Sequence, residues 1–276
     1  MNKNKMKYRL IKILCVGFIT GALLGMLLMG LNGRAKLKAV RAESQKTESK
    51  LQKEKEQLQV DVELAKMTKT TDEIAQENAT KLASNDDDWC LVLINSENPL
   101  DTSYAPELTK LDDEHSIDSR IADETKQMFQ DAEAAGLNLY IVSAYRDYQS
   151  QKDVFDETML NLIYQGKSPF DAYNETSQSV AVPGTSEHAT GLAMDITSGE
   201  YGELDDQQAN TDEAKWLIAN CANYGYILRY PSDKSDITKI VYEPWHFRYV
   251  GKTAAKEITD QGITLEEYLE QQKDGK

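Results

Sequence analysis

Glycine and proline are both absent between Gly33 and Pro99, in a chain of 276 residues with only six prolines. Because these residues mark most turns, their absence excludes a loop-rich structure over that stretch. Residues 34–82 are instead rich in Lys, Glu, Gln and Ala, and Leu37, Leu51 and Leu58 fall on a seven-residue grid. Ser44 interrupts the grid, so a sustained coiled coil is not indicated. The sequence predicts a solvated helical stalk, and self-association through it stays open.

Basic residues are few: 31 Lys and Arg stand against 46 Asp and Glu, a net charge of −15. The first 33 residues contain five basic and no acidic side chains, so the remainder carries a net charge of −20. Nucleic acids require a cationic surface to neutralise their phosphates. The charge therefore excludes nucleic acid as a partner.

Cysteine is also scarce, with three residues in the whole chain. Cys15 lies within the apolar run of residues 13–31, where its expected role is packing. Cys90 and Cys221 could pair in an oxidising compartment, or they could be buried free thiols. The sequence leaves both alternatives open.

A single long apolar run is present near the start of the chain. Residues 13–31 are 19 residues without a charge, close to the roughly 20 that cross a bilayer as a helix. The basic residues that precede the run are Lys3, Lys5, Lys7, Arg9 and Lys12. The positive-inside rule then places this end in the cytoplasm and the rest outside. A cleavable signal peptide is the alternative, but its apolar region is usually about 7–15 residues long. We therefore expect an uncleaved single-pass anchor in the cell membrane.

Three segments follow from these patterns. Residues 1–33 are expected to form a basic tail and transmembrane anchor, and residues 34–88 a charged helical stalk. The composition changes near Trp89, so residues 89–276 are expected to form a folded domain outside the cell.

The folded segment mixes strand-like and helical patterns without regular alternation. The predicted strands are residues 91–94, 139–142, 192–196 and 245–250. The predicted helices are residues 118–135, 149–165, 211–224, one that begins at Ser168-Pro169, and a last one opened by the capping box of Thr264 and Glu267. Such an order indicates an α+β fold and not a doubly wound sheet.

The chain has three histidines, and His188 lies in an unusual segment that runs from Ser186 to Ile196. The preceding Pro183-Gly184 marks a loop, and the end of the segment resembles a strand that contains Asp195. Gly191 would allow a tight reversal that brings the two side chains together. Zinc accepts imidazole nitrogen and carboxylate oxygen, so His188 and Asp195 can serve as a pair of ligands.

A second segment, residues 241–250, contains Glu243, Pro244 and His246. His246 can supply a third ligand and leave the fourth zinc position to water, and Glu243 is then a candidate base for that water. Residues three apart in a flat strand face opposite sides. Proline favours a strand start or a bulge, so we expect a kink at Glu243-Pro244.

A third segment, residues 143–151, follows a predicted strand. Its Arg146 could hold a substrate carboxylate through a bidentate pair. A surface ion pair is the alternative interpretation.

Together these segments resemble the D-alanyl-D-alanine carboxypeptidase family, which includes VanY-type and L,D-carboxypeptidase branches. The resemblance covers roughly residues 90–260. Its motifs are Ser-x-x-Arg-x-x-x-x-Gln at 143–151, Ser-x-His-x-x-Gly-x-Ala-x-Asp at 186–195 and Glu-x-Trp-His at 243–246. The resemblance implies a small, mostly antiparallel sheet flanked by helices, as in Hedgehog/DD-peptidase-like folds.

The same resemblance implies roles for individual residues. His188, Asp195 and His246 would bind one zinc ion, and Glu243 would be catalytic. Arg146 would engage the terminal carboxylate of the substrate or the developing oxyanion. The residues implied to line the pocket are Ser143, Gln151 and Ser186.

The expected activity is zinc-dependent removal of the last D-alanine from a peptidoglycan stem peptide. An L,D-carboxypeptidase that acts on tetrapeptide stems would use the same residues. An endopeptidase is disfavoured, because Arg146 suits a free carboxylate. A non-catalytic, zinc-stabilised wall-binding module is the alternative from another class, and it would not need Glu243.

Overall fold

The computed structural model describes residues 34–274 of the chain. The chain divides into two compact units, residues 1–69 and residues 70–276. Among the helices of residues 34–274, none is long and apolar enough to cross a membrane. The anchor expected at residues 13–31 lies outside the described residues.

The first helix, α1, spans Arg34–Leu82, as the stretch without glycine and proline predicted. The side chains of residues 41–55 are mostly exposed, which agrees with a solvated helix. The end of α1 belongs to the second unit, where Leu82 is fully buried in the core. There the side-chain amide of Asn78 donates a hydrogen bond to the carbonyl oxygen of Pro99 at 2.8 Å.

The second unit is an α+β domain, as predicted, with small antiparallel sheets and flanking helices. Its strands are β1 (Leu108–Lys110), β2 (Ser116–Asp118), β3 (Leu139–Ser143), β4 (Ala193–Ser198), β5 (Tyr226–Tyr230) and β6 (Glu243–Tyr249). Its remaining helices are α2 (Ala122–Ala134), α3 (Tyr148–Tyr164), α4 (Pro169–Ser179), α5 (Asp212–Asn220), α6 (Ser235–Thr238), α7 (Lys252–Gln261) and α8 (Leu265–Asp274). Short 3₁₀ turns occupy Ser119–Ile121, Glu187–Thr190, Asp206–Asn210 and Cys221–Tyr224.

The main sheet has the strand order β3-β4-β6-β5, and every neighbouring pair is antiparallel. Strands β1 and β2 pair separately. The centre of the main sheet is the β4–β6 pair, in which Ala193 lies opposite Arg248 and Asp195 opposite His246.

The two central strands have one apolar and one polar face. Met194, Ile196 and Phe247 are fully buried in the hydrophobic core. Because successive side chains of a strand point to opposite faces, Asp195 and His246 project from the other face. The polar pair therefore lies on two strands whose opposite face is packed in the hydrophobic core.

Several local predictions are confirmed. Ser168 caps α4 with Pro169 at its first position, and Thr264 and Glu267 exchange the two hydrogen bonds of a capping box. The predicted helix at 211–224 is α5 followed by a 3₁₀ turn that ends at Gly225.

The strand predicted at residues 91–94 is wrong, because within residues 34–274 this segment pairs with no strand. Instead the guanidinium of Arg248 donates hydrogen bonds to the carbonyl oxygens of Cys90 and Val92, both at 2.9 Å. A buried side chain thus replaces a neighbouring strand as the hydrogen-bond donor. Cys90 and Cys221 are both buried free thiols, which decides between the two alternatives for these cysteines.

Candidate active site

The main sheet brings an acidic and a basic side chain together at its centre. Asp195 and His246 are register partners on adjacent strands, and such partners have Cβ atoms about 4.5–5.5 Å apart. Oδ1 of Asp195 lies 3.1 Å from Nδ1 of His246, and both side chains are buried. Strand pairing therefore explains how residues 51 positions apart in the chain meet.

The 3₁₀ turn Glu187–Thr190 carries His188 to the same place. Gly191 ends the turn with a φ of 73°, and a Cβ at this position would lie 2.9 Å from the backbone nitrogen of Asp118. Glycine is needed here for the left-handed backbone and for the close approach. As a result Nε2 of His188 lies 3.3 Å from Oδ2 of Asp195.

The donor atoms of this cluster fit a zinc ion. Nδ1 of His188 lies 2.7 Å from the carbonyl oxygen of Ala144, so Nδ1–H donates to the carbonyl and the Nε2 lone pair stays available. One ligand atom each from His188, Asp195 and His246 lies within 4.8 Å of the other two. Two imidazole nitrogens and one carboxylate oxygen form the type of ligand set that catalytic zinc takes, with the fourth position left to water.

The electrostatics also favour a cation at this point. Burial lowers the pKa of His188, and so does the charge of Arg146. Burial would lower the pKa of His246 too, but hydrogen bonds to Asp195 and Glu187 outweigh it and raise the value to about 9. Burial opposes ionisation of Asp195, yet the two histidines hold its pKa below the usual range. The carboxylates therefore stabilise positive charge between the ligands.

Glu243 lies beside the cluster because β6 is irregular at its start. Tyr230 pairs with Glu243 and Leu228 with Phe247, so β6 has extra residues between these pairs. This irregularity next to Pro244 agrees with the predicted kink. It brings Oε2 of Glu243 to 3.6 Å from Nδ1 of His246. Burial raises the pKa of Glu243 to about 8, with Asp195 adding to the effect and His246 opposing it.

Arg146 lines the same cleft, just after β3. Its backbone N–H donates to the carbonyl oxygen of His188 at 3.3 Å, which couples the arginine to the turn that carries the histidine. Burial lowers the pKa of the guanidinium, while Asp195 and Glu243 raise it. Nε of Arg146 is buried without a hydrogen-bond partner in the part of the chain that the structure describes. A buried donor of this kind is suited to an anionic ligand.

The three other predicted pocket residues differ in position. Ser186 is buried, lines the cleft, and its hydroxyl accepts a hydrogen bond from the backbone N–H of His188 at 3.3 Å. Gln151 is buried and donates to the carbonyl oxygen of Ala181 at 2.7 Å, so it supports a cleft residue and does not itself line the cleft. Ser143 lies opposite Asp195 on β3, also outside the lining.

The cleft has a volume of about 330 Å³, within the range of small-ligand sites. Its polar floor is formed by the histidines and carboxylates described above. Its walls are largely apolar and include Val154, Leu204, Tyr230, Ile240 and Trp245. This arrangement suits a small peptide end with a polar terminus and short apolar side chains.

Glu187 was not among the residues predicted from the sequence. It is fully buried between the cluster and two arginines. Oε1 of Glu187 lies 2.8 Å from Nε of Arg229 and 2.8 Å from Nη1 of Arg248. Oε2 lies 3.4 Å from Nε2 of His246. A signal was available, since both arginines interrupt apolar strand sequences, which is typical of buried ion pairs.

The known proteins that this chain resembles agree with the chemistry of the site. Residues 114–252 match the family model described as VanY, D-alanyl-D-alanine carboxypeptidase. The D-alanyl-D-alanine carboxypeptidase of Enterococcus faecalis is 38% identical over 193 residues, which cover 70% of this chain and 70% of that protein.

Three solved structures share the fold. VanYB in complex with D-alanine-D-alanine is 39% identical with a TM-score of 0.60, covering 66% of this chain and 98% of its own. A VanY mutant from a VanB-type resistance cassette, in complex with Zn(II), is also 39% identical with a TM-score of 0.60. That match covers 66% of this chain and 99% of the other chain. The LdcB LD-carboxypeptidase is 42% identical with a TM-score of 0.56, and the match covers 64% of this chain and 84% of the LdcB chain.

A buried His-Asp-His cluster beside a carboxylate, on a small antiparallel sheet, defines this protein as a zinc-dependent peptidase. The sequence and structural matches make the class specific. The chain belongs to the D-alanyl-D-alanine carboxypeptidase family of VanY type, as its motifs predicted.

Proposed function

We propose that the protein removes the C-terminal D-alanine from the stem peptide of peptidoglycan. The observation that carries this proposal is the convergence of a three-ligand cluster, the carboxylate of Glu243 and the guanidinium of Arg146 in one cleft. The family supports the substrate class, since VanYB has been solved with D-alanine-D-alanine.

The zinc ligands in this proposal are Nε2 of His188, a carboxylate oxygen of Asp195 and Nδ1 of His246. Bound zinc supplies a Lewis acid that polarises the scissile carbonyl and lowers the pKa of a water molecule. The protein holds the three ligands rigidly, because two lie on paired strands and the third on a turn capped by Ser186.

Glu243 acts as the base. It accepts a proton from the attacking water as the new carbon–oxygen bond forms, and it then donates that proton to the leaving amine as the carbon–nitrogen bond breaks. Its carboxylate is buried at the cleft surface, which limits its contact with bulk water. The products are free D-alanine and a stem peptide shortened by one residue.

Arg146 recognises the end of the substrate. A free α-carboxylate can accept two hydrogen bonds from a guanidinium, and the unpartnered Nε of Arg146 is available for one of them. Because a peptide bond further along the chain offers no such carboxylate, this contact makes the enzyme an exopeptidase. Ser186 would contact the substrate beside His188, and Ser143 and Gln151 would hold the wall of the pocket.

An L,D-carboxypeptidase is the second candidate, and a specific observation favours keeping it. LdcB, whose structure bears the name LD-carboxypeptidase, is 42% identical to this chain. The position of Glu243 beside the ligands argues against a non-catalytic binding module, which would not need a base there.

The experiment that tests the proposal compares two synthetic peptides with the zinc-loaded protein. Release of D-alanine from a pentapeptide stem, with little release from the tetrapeptide, is the expected result. The reverse preference would assign the L,D activity. Tight binding of both peptides without any release would indicate a binding module and overturn the enzyme assignment.

The cell-membrane location is part of the proposal. The uncharged run of residues 13–31 would anchor the chain with its amino terminus in the cytoplasm, and residues 34–88 would hold the catalytic domain of residues 89–276 near the wall. This location is supported by the sequence of residues 1–33 and by the expected extracellular substrate. Protease accessibility of the catalytic domain on intact cells tests it, and protection of the domain would contradict it.

Self-association through α1 also stays a proposal, supported by its partial heptad pattern. Sedimentation of the full-length protein and of a variant with Leu51→Ser and Leu58→Ser tests it. A monomeric wild-type protein would exclude it.

A further inference from the structure

Glu187 is the only fully buried carboxylate in the described chain that contacts both a predicted zinc ligand and two arginines. Its oxygens have different partners. Oε1 accepts hydrogen bonds from Arg229 and Arg248, both at 2.8 Å, whereas Oε2 faces Nε2 of His246 at 3.4 Å. The side chain therefore links the metal cluster to a network of buried charges.

The two arginines are themselves held in place, so the carboxylate has little freedom to rotate. Nη1 and Nη2 of Arg229 donate to Glu266 on α8 at 2.9 and 2.7 Å. Nη2 of Arg248 donates to the carbonyl oxygens of Cys90 and Val92. With Oε1 committed to the arginines, Oε2 remains aimed at His246.

With a cation at the proposed site, this geometry selects one tautomer of His246. A neutral imidazole has a single N–H, and an ionised carboxylate can only accept hydrogen bonds. Both ring nitrogens of His246 face a carboxylate: Nδ1 lies 3.1 Å from Asp195, and Nε2 lies 3.4 Å from Glu187. Because Asp195 is itself a proposed ligand, a bound cation would take the place of a proton between Nδ1 and Asp195. The single proton of the neutral ring would then lie on Nε2, where Glu187 accepts it. Only a nitrogen without a proton can ligate a metal.

The other histidine ligand shows the contrast. Nδ1 of His188 is fixed by the backbone carbonyl of Ala144, at 2.7 Å, so its Nε2 faces the cluster. The two histidines thus use opposite ring nitrogens. A backbone atom orients one and a side chain orients the other, which makes only His246 adjustable by mutation of its orienting group.

We propose that Glu187 is a positioning residue that presents Nδ1 of His246 to zinc and thereby sets the zinc affinity of the site. The inference rests on the proposed zinc ligands, and it adds a residue whose effect is exerted through His246 and not through substrate. Hydrogen-bonded partners behind histidine ligands typically contribute 10–100-fold to metal affinity or activity.

Glu187→Gln provides a sharp test. The arginines can only donate, so the amide oxygen will face them and the amide NH₂ will face Nε2 of His246. A donor at that position favours the tautomer with its proton on Nδ1, which competes with zinc. We expect the zinc dissociation constant, measured by competition with a chromophoric chelator, to rise about 10–100-fold.

Glu266→Gln is the matched control. It also neutralises a carboxylate bound to Arg229, but it does not contact His246. Its melting temperature should fall, while its zinc affinity stays within about twofold of the wild type. Equal loss of zinc affinity in both variants would show a general effect of the charge network and overturn the proposal.

A measurement on the wild-type protein avoids any folding defect of the variants. The chain has three histidines, so nitrogen-15 spectra of the zinc-loaded protein are readily assigned. His246 should show a proton on Nε2 and metal ligation through Nδ1; ligation through Nε2 would overturn the inference. Failure of the wild-type protein to bind zinc would instead refute the proposed function, so the two failures are distinguishable.

Discussion

The two faces of the β4–β6 pair use the same backbone for different purposes. On one face Met194, Ile196 and Phe247 pack in a hydrophobic core. On the other, Asp195 and His246 are buried with ionisable groups as neighbours. Apolar packing loses stability in proportion to the volume removed, whereas a buried polar cluster depends on each partner being present. Substitutions on the apolar face should therefore lower stability in proportion to the volume removed. Loss of one partner on the polar face should instead have a severe effect that is confined to the site.

Removal of zinc should give the largest contrast between the faces. Treatment with a strong chelator should reduce D-alanine release to background and lower the melting temperature, because zinc binds only the folded site. At a free zinc concentration 1,000 times the dissociation constant, the stabilisation is about 4 kcal/mol. Calorimetry with and without zinc checks this. Full activity in protein shown by elemental analysis to be zinc-free would contradict it.

Glu243→Gln should give the next largest effect, confined to the polar face. The amide cannot accept the proton from water, so kcat should fall about 10²–10⁴-fold. Zinc content should be unchanged, since Glu243 is not one of the proposed ligands. Glu203→Gln, an exposed substitution outside the site, is the control. Normal turnover by the Glu243 variant would remove Glu243 as the base.

Arg146→Met tests recognition of the substrate carboxylate. Loss of a hydrogen bond to a charged group costs about 1.5–3 kcal/mol, so kcat/KM for the pentapeptide should fall about 10–100-fold. A pentapeptide with a C-terminal amide sharpens the test. The wild-type enzyme should discriminate against the amide, and the variant should not. Equal discrimination by both enzymes would mean that Arg146 does not contact this carboxylate.

Ile196→Val should give the smallest effect and define the apolar face. Loss of one buried methylene costs about 0.5–1.5 kcal/mol of unfolding free energy. Zinc affinity and kcat should not change, because Ile196 points away from the ligands. Denaturant unfolding and chelator competition measure both quantities. A clear loss of zinc affinity would show that the two faces are coupled, contrary to the comparison.

Much of the fold could be predicted from local signals. Helix boundaries were marked by residues with a defined mechanism, such as Ser168-Pro169 at the start of α4. Strand β5 was missed because it contains Arg229, whose burial is possible only with Glu187 and Glu266 as partners. The strand predicted at residues 91–94 was wrong because hydrophobicity does not specify the source of its hydrogen bonds.

The proposed zinc ligands and the proposed base could also be predicted from the sequence. His188, Asp195 and His246 were selected for their ligand chemistry, and the structure brings them together. The spacing of Glu243 and His246 required an irregular strand, and Pro244 indicated one. Glu187 was not recognised, since its contacts come from residues 42–61 positions away.

The hydrogen bonds from Arg248 to Cys90 and Val92 set a lower limit on the piece of this chain that can fold alone. The family match starts at residue 114, but a fragment cut there would lack both acceptors. It would leave a guanidinium buried with two donors unsatisfied, next to the carboxylate that orients His246. Any expression fragment should therefore begin upstream of Cys90, and inclusion of Leu82 would also retain a fully buried side chain of the hydrophobic core.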